Sequence, residues 1–165
     1  MRKLMPALII AVLACDDSAT APTAELSLLR AATAVFADTA VATAAGYTAA
    51  LTGCMANGAE GAMGVHIGNP SLIDAVVELE QPEAVMYEPQ ANGAEPVMVG
   101  VEYLVPFSAW TSAAPPTLMG QSFRRNEAFQ VWALHAWVHR DNAAGVFADW
   151  NTAVSCAAAP APMVH

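Results

Sequence analysis

The sequence predicts a single α+β domain in which an N-terminal alanine-rich helix packs on an antiparallel sheet or partly closed small barrel. The helix is predicted by residues 24–45, where apolar side chains recur at spacings of three and four. The sheet is predicted by residues 97–105 and 130–139, where β-forming residues are common and side chains alternate between two faces. An Asn92-Gly93 pair between two strand-like segments favours a hairpin, and therefore antiparallel pairing.

The chain begins with a segment typical of an export signal. A basic head at Arg2 and Lys3 is followed by an apolar run that is too short to cross a membrane as a helix. The residues VLAC, ending at Cys15, resemble the lipobox of bacterial lipoproteins, in which the cysteine is lipid-modified and becomes the mature N-terminus. We expect residues 1–14 to be a signal peptide and Cys15 to be the lipidation site. The alternatives are an ordinary signal peptide cut nearby, or Cys15 as a plain thiol.

The expected domain boundaries follow from composition. Residues 15–23 are small, polar or proline and predict a tether. Residues 24–156 are the predicted domain, and the low-complexity residues 157–165 are predicted to be a flexible tail. We therefore expect an exported protein that is lipid-anchored in the bacterial envelope, or periplasmic or secreted if it is not lipidated.

The charge balance argues against some partners. The chain has 15 Asp and Glu against 6 Lys and Arg, a formal charge of −9, which becomes −11 when Arg2 and Lys3 are removed. Such a charge disfavours nucleic acid and anionic lipid, so membrane contact is expected only through the N-terminal lipid. Arg124, Arg125 and Arg140 would meet an anionic ligand, but surface pairing with nearby acids is the favoured interpretation.

Two cysteines remain once Cys15 is assigned to lipid. In an exported protein, Cys54 and Cys156 most simply form one disulfide bond. Neither has a second cysteine or a histidine at ligand spacing, which makes a metal role for them less favoured.

Several elements are expected between the helix and the clearest strand. Gly46 is a plausible C′ residue after the helix. The expected elements are a glycine-rich loop over residues 53–64, an alternating strand over 62–67, a short helix over 71–80 capped by Ser71 and Asp74, a strand over 84–87 and a hairpin connection over 89–96.

The second half of the chain contains two strands and a long connection. Residues 97–105 are the clearest strand, and residues 106–127 are expected to be a loop whose apolar side chains pack over something. Residues 130–139 are expected to place His135, Trp137 and His139 on one face. The opposite face of that strand is wholly apolar and should lie against the core.

Three predicted strands repeat one local pattern, in which a glycine or alanine precedes a polar residue by two positions. The polar residues are His66, Glu102 and His135. If the strands are neighbours in one sheet, these side chains converge on a shallow pocket. Two imidazoles and a carboxylate are a ligand set for one divalent ion such as zinc, copper or iron. A hydrogen-bonded polar cluster is the alternative, with Glu102 paired to an arginine.

Four further residues are candidates for the rim of this pocket. They are His139, Tyr103, Trp137 and Arg124. His139 is a candidate fourth ligand or rim base.

The chain resembles an uncharacterised family of exported bacterial proteins. The matching pieces are Gly46-Tyr47, Cys54, GAMGVH at 61–66, residues 82–89, GVEY at 100–103, residues 116–123, LHAW at 134–137, Asn142 with GVF at 145–147, and residues 151–156. Family members usually carry proline where this chain has Ala143 and Thr152, and an aromatic residue where it has His139. The resemblance supports His66, Glu102 and His135 as site residues and implies no particular chemistry.

Three functions are compatible with these features. The first is an envelope protein that binds a metal ion or a small ligand at the His/Glu/His site. The second is a metal-dependent enzyme that uses the same residues, with residues 106–127 closing over the substrate. The third is a structural lipoprotein without a site. No nucleophile or phosphate-binding motif is present in the sequence, which favours binding slightly over catalysis.

Overall fold

The computed structural model describes residues 21–159 and confirms the α+β class. A short helical segment packs against an antiparallel six-stranded sheet that curls into a half-barrel. The expected signal peptide, the lipidation site Cys15 and residues 160–165 lie outside the described residues. Within residues 21–159, no helix combines the length and the apolar character needed to cross a membrane.

The helical segment consists of two helices rather than the single one predicted over residues 24–45. They are α1 (Ala21–Thr33) and α2 (Thr39–Ala44), joined by the 3-10 turn Ala34–Ala37. Because α1 begins at Ala21, the last three residues of the expected tether belong to the helix.

The break between the helices occurs at Asp38. Its backbone is extended, and its carboxylate accepts hydrogen bonds from the N–H groups of Ala40 and Val41. An aspartate in this position is a strong N-cap, so it starts a new helix instead of continuing the previous one. Gly46 follows α2 with a φ of 101°, as expected for a C′ residue.

The strands form one large sheet and one small hairpin. The large sheet contains β1 (Ala49–Ala56), β2 (Ala62–Gly68), β3 (Ala84–Glu88), β4 (Val97–Pro106), β7 (Arg124–Asn126) and β8 (Val131–Ala136), and the hairpin contains β5 (Thr117–Leu118) and β6 (Gln121–Ser122). The order in the large sheet is β1-β2-β3-β4-β8-β7, and every neighbouring pair is antiparallel. The strands predicted over 62–67, 84–87 and 97–105 are confirmed as β2, β3 and β4. The strand predicted over 130–139 is confirmed as β8, which ends at Ala136.

The glycine-rich loop predicted over residues 53–64 is confined to residues 57–61, and its predicted bounds are wrong. β1 extends to Ala56, and β2 begins at Ala62. The pairing of β1 with β2 is interrupted by three register shifts between Ala50 and Ala56, so this strand has no regular alternation of buried and exposed residues. Because β1 lacks this alternation, the glycines of the segment are its strongest sequence pattern, and glycines favour a loop.

The short helix predicted over residues 71–80 is also wrong, because no helix forms there. Asp74 accepts a hydrogen bond from the N–H of Val76 at 2.7 Å, which is a local turn and not a helix cap. The apolar side chains of this segment, Leu72, Val77 and Leu79, pack separately against the core. Tertiary packing therefore overrides a weak local helix signal.

Residues 106–127 contain more structure than the predicted loop. They include the β5–β6 hairpin and the edge strand β7. Their apolar side chains pack against the main core as expected; these are Trp110, Leu118, Met119 and Phe123. The segment is thus anchored on the core side of the sheet.

The main core lies between the helical segment and one face of the sheet. Its buried members include Leu29 of α1, Val101 and Tyr103 of β4, and Leu134 and Ala136 of β8. The face of β8 that was expected to be apolar is therefore the core face. The opposite face of the sheet is concave and carries the candidate site.

The predicted disulfide bond between Cys54 and Cys156 is confirmed. The two Cα atoms are 5.6 Å apart and the residues are separated by 102 positions in the chain. The bond ties β1 to the C-terminal segment. An isolated bridge between Ala62 and Asn151 holds the same segment against the start of β2.

Candidate metal centre

Three buried side chains converge on the concave face of the sheet, and they are the three predicted from the sequence. His66 Nε2 lies 3.3 Å from His135 Nε2, while Glu102 lies 3.3 Å from His135 and 3.6 Å from His66. The residues are 2%, 6% and 8% exposed for His66, His135 and Glu102 respectively. Their donor atoms form a group that can hold a metal ion.

The three side chains come from strands that are not all neighbours. Glu102 of β4 is directly opposite His135 of β8, but His66 of β2 is separated from β4 by β3. In a flat sheet, β2 and β8 would be roughly 14 Å apart. The curl of the sheet brings the two imidazoles together across this distance.

Small residues between the histidines leave the concave face open. Ala84 of β3 pairs with Glu102 on one side and with Gly68 on the other. The methyl group of Ala84 occupies the place beside Glu102 where a larger side chain would separate Glu102 from His66, and the β3 residue directly opposite His66 is Met86. The small side chain of Ala84 is why residues on strands two apart make contact.

The glycines of the repeated pattern, Gly64 and Gly100, allow neighbouring strands to pack closely. A Cβ at Gly64, whose φ is +83°, would lie 2.4 Å from the Tyr87 carbonyl oxygen. A Cβ at Gly100 would lie 2.6 Å from the Ala136 carbonyl oxygen. These glycines permit close approach of neighbouring strands, so they act differently from the expected clearance beside each polar residue.

The donor atoms of the three residues lie close to one another. Tetrahedral zinc with bonds of about 2.0 to 2.2 Å to nitrogen and oxygen holds its ligand atoms roughly 3.3 to 3.6 Å apart. The two Nε2 atoms are 3.3 Å apart, and Glu102 reaches His135 through Oε1 at 3.3 Å and His66 through its other oxygen, Oε2, at 3.6 Å. With one ligand atom taken from each residue, the three atoms lie within 4.8 Å of one another, which is close enough for a group that could hold one ion.

The outer nitrogens of both histidines have polar partners. His66 Nδ1 is 2.9 Å from Thr52 Oγ1 on β1, and His135 Nδ1 is 3.9 Å from Asp149 Oδ1. A partner at Nδ1 favours a proton there and leaves the Nε2 lone pair free to bind a metal. His66 thus has a hydrogen-bond partner of the kind that orients a metal ligand, whereas Asp149 acts on His135 as a nearby charge.

The electrostatics of the two histidines differ. Burial lowers the pKa of His66, outweighing the attraction of Glu102. Burial also acts to lower the pKa of His135, but the carboxylates of Glu102 and Asp149 outweigh it and raise that pKa. The interaction with His135 lowers the pKa of Asp149, with Arg124 adding to the effect. Negative charge therefore surrounds His135 on two sides.

Of the four expected rim residues, two lie at the site. Arg124 lines the cavity beside the cluster and pairs with Asp149. Trp137 is buried behind His135 with its ring stacked on the imidazole at 6.2 Å, so it supports the site from behind and does not form a rim.

Tyr103 and His139 lie away from the site. Tyr103 is fully buried in the main core on the opposite face of the sheet, as its odd position in β4 requires. His139 was expected on the face of His135, but β8 ends at Ala136 and the chain changes direction. Its Nε2 contacts Thr33 Oγ1 of α1 at 2.9 Å.

The three arginines of the second half are paired with acids, which was the favoured interpretation of the sequence. The pairs are Arg124 with Asp149, Arg125 with Glu127, and Arg140 with Glu88. Glu102 therefore pairs with the two histidines rather than with one of these arginines.

A cavity of about 480 Å³ opens beside the cluster, and all three cluster residues line it. Its walls come from β1, β2, β4, β7, β8 and the segment around Asp149. Because the donor atoms project from the floor of the concave face, the side of the cluster away from the sheet faces this cavity.

Sequence reasoning missed Thr52 and Asp149. Thr52 lies in the bulged strand β1, whose second half was assigned to the glycine-rich loop. Asp149 lies in an irregular segment, positioned by the hydrogen bond from Trp137 Nε1 to the Ala148 carbonyl and by the bridge between Ala62 and Asn151. No periodicity in the sequence marks either residue.

The fold and site together define an α+β half-barrel with a buried His/Glu/His cluster beside a cavity. Comparisons with protein-family models, with curated proteins and with solved structures find no match to this chain.

Proposed function

We propose that this protein binds one divalent transition-metal ion through His66, Glu102 and His135. The observation that carries the proposal is the convergence of two buried imidazoles and a buried carboxylate, whose ligand atoms all lie within 4.8 Å of one another. Zinc, copper and iron all accept this combination of nitrogen and oxygen donors.

A metal ion explains the cluster better than hydrogen bonding does. When Thr52 and Asp149 hold protons on the two Nδ1 atoms, both Nε2 lone pairs face each other and the Glu102 carboxylate. The two nitrogens are 3.3 Å apart and each lies within 3.6 Å of one carboxylate oxygen of Glu102, so in that state these electron-rich atoms repel one another in a buried site. A cation at their centre removes this repulsion and satisfies all three.

Elemental analysis and thermal unfolding of the untagged mature protein test the proposal. We expect one metal ion per chain, and a higher melting temperature with added metal, because an ion that binds only the folded state stabilises it. His66→Gln, Glu102→Gln and His135→Gln should each abolish stoichiometric metal. His139→Gln is the matched control, since it removes an imidazole outside the cluster and should retain the metal. Wild-type protein that contains no metal, and whose melting temperature does not respond to zinc, copper or iron, contradicts the proposal.

A metal-dependent enzyme is the second candidate function, and the cavity beside the cluster favours it. Three protein ligands leave a coordination position open, as in catalytic zinc sites. Residues 106–123 are anchored on the core side of the sheet, so closure over a substrate would fall to the mouth residues Arg124–Asn126 of β7. Turnover of ester or amide substrates by metal-loaded wild type, lost in Glu102→Gln, would establish catalysis.

Export and lipid anchoring through Cys15 form part of the proposal. The signal-like residues 1–14 support it, and the disulfide bond is typical of an oxidising compartment. Incorporation of labelled fatty acid in expressing cells should occur with wild type and disappear with Cys15→Ser. Equal labelling of the two would rule out Cys15 as the anchor.

A further inference from the structure

The cavity beside the metal centre has an interior that suits a specific class of ligand. Its volume of about 480 Å³ lies within the range of small-molecule sites. The cluster lies at its inner end. The following inference rests on the proposed metal site and concerns what occupies the open coordination position.

The walls of the cavity are largely apolar. They include Leu51, Met55, Ile73, Leu104, Phe129 and Val131. Phe129 is 50% exposed at the β7–β8 turn, although it lies against the cavity. An aromatic side chain left half-exposed at the mouth of an apolar cavity is available to cover the body of a ligand.

Among the charged groups that line the cavity, the proposed metal centre is the one whose charge is not balanced by a partner. Arg124 is paired with Asp149 and Arg125 with Glu127, so these four residues cancel at the mouth. At the inner end, a dication bound to two neutral imidazoles and the Glu102 carboxylate carries a net charge of about +1. A monoanionic oxygen donor is complementary to that charge.

We propose that the cavity binds a small monocarboxylate with an apolar body, whose carboxylate oxygen occupies the open position on the metal and whose body lies along the apolar walls. The juxtaposition of a three-ligand cluster, an apolar cavity and a mouth with balanced charges points to this class. A ligand with several charges would leave some of them unpaired against apolar walls.

Calorimetric titration of zinc-loaded wild type with unbranched carboxylates of four to ten carbons tests this ligand class. We expect the affinity to rise about three- to fourfold per methylene until the cavity is filled. Alcohols of matched length, which lack the anionic oxygen, should bind at least tenfold more weakly. Chelator-treated, metal-free wild type should show a comparable loss for the carboxylates.

Two wall variants, each with a matched control, locate the ligand. Val131→Thr places a hydroxyl in the wall with little change of shape, and Phe129→Ser removes the aromatic at the mouth. Each should weaken the longest carboxylates about fivefold or more while retaining one zinc per chain. Val97→Thr and Leu28→Ser, at exposed positions that do not line the cavity, should bind like wild type.

The results separate failure of this proposal from failure of the metal site. Wild type that holds one zinc per chain but binds no carboxylate, or binds all chain lengths equally, overturns the ligand and leaves the metal centre standing. Equal binding with and without zinc overturns coordination of the carboxylate. If both wall variants bind the long carboxylates with wild-type affinity, the body of the ligand does not lie along these walls. Wild type that binds none of zinc, copper or iron overturns the metal site and this proposal together.

Discussion

At the scale of single residues, Glu83 carries a carboxyl group that is buried outside the metal cluster. It is 1% exposed and accepts a hydrogen bond from the backbone N–H of Leu104 at 3.0 Å. Burial raises its pKa from 4.5 to about 8, and the nearby charges of Asp74 and Glu102 add to the shift, although the hydrogen bond opposes it. The folded protein therefore holds a neutral acid at this position near pH 6.

This shift predicts the direction of a pH effect on stability. Between pH 4.5 and about 8, the unfolded chain has lost the Glu83 proton while the folded protein retains it. Stability from this residue is thus present at low pH and is lost as the pH rises through that window, by at most about 1.4 kcal/mol per pH unit. Glu83→Gln keeps a hydrogen-bond acceptor but does not titrate. The free energy of unfolding, measured by denaturant titration from pH 5 to 8, should decline less steeply in the variant than in wild type. Identical slopes would show that Glu83 is ionised in the folded protein.

At the scale of elements, β1 has a functional role because it carries Thr52. The Thr52 hydroxyl is 2.9 Å from His66 Nδ1 and fixes the orientation of the imidazole. Loss of such a partner to a ligating histidine typically costs about 10- to 100-fold in metal affinity. We therefore expect Thr52→Val to weaken metal binding by that factor while a saturating metal concentration still gives one ion per chain.

Competition with a chromogenic chelator measures this affinity. Thr48→Val is the matched control, because Thr48 is exposed and its hydroxyl contacts only the Gly46 carbonyl. The control should bind metal like wild type. Wild-type affinity in Thr52→Val would mean that the ring of His66 is held in place by packing alone.

The elements that sequence predicted well are those with regular alternation. β2, β4 and β8 follow period-two patterns, and β3 is a short run of β-forming residues, so all four were recognised. β1 was missed because its bulges remove the alternation, and the helix expected over residues 71–80 was wrong because its side chains pack individually. The break at Asp38 depends on a cap whose geometry a helical pattern does not reveal.

The site was predictable to the extent that strand faces determine it. Glu102 and His135 face each other because β4 and β8 pair in register, and His66 shares their face. Its contact with them depends on the curl of the sheet, which no single strand specifies. Thr52, Asp149 and the displacement of His139 depend on a bulge, an irregular segment and a strand end, none of which has a sequence period.

At the scale of the whole molecule, the C-terminal segment stabilises both the fold and the site. Asp149 approaches His135 from this segment, and Asn151 bridges to Ala62. Glu88 of β3 accepts hydrogen bonds from Arg140 and from the N–H of Ser155. The disulfide bond at Cys156 then fixes the end of the segment to β1.

This arrangement predicts a large contribution of the disulfide bond to global stability. The bond joins residues 102 positions apart, so it restricts a long loop in the unfolded chain. Replacing Cys54 and Cys156 together by serine should lower the free energy of unfolding by about 2 to 5 kcal/mol. Denaturant titration with and without reductant measures the effect. Reductant should lower the stability of wild type to that of the double variant and leave the double variant unchanged. If the double variant is as stable as oxidised wild type, the hydrogen bonds of Glu88 and Asn151 hold the segment without the covalent bond.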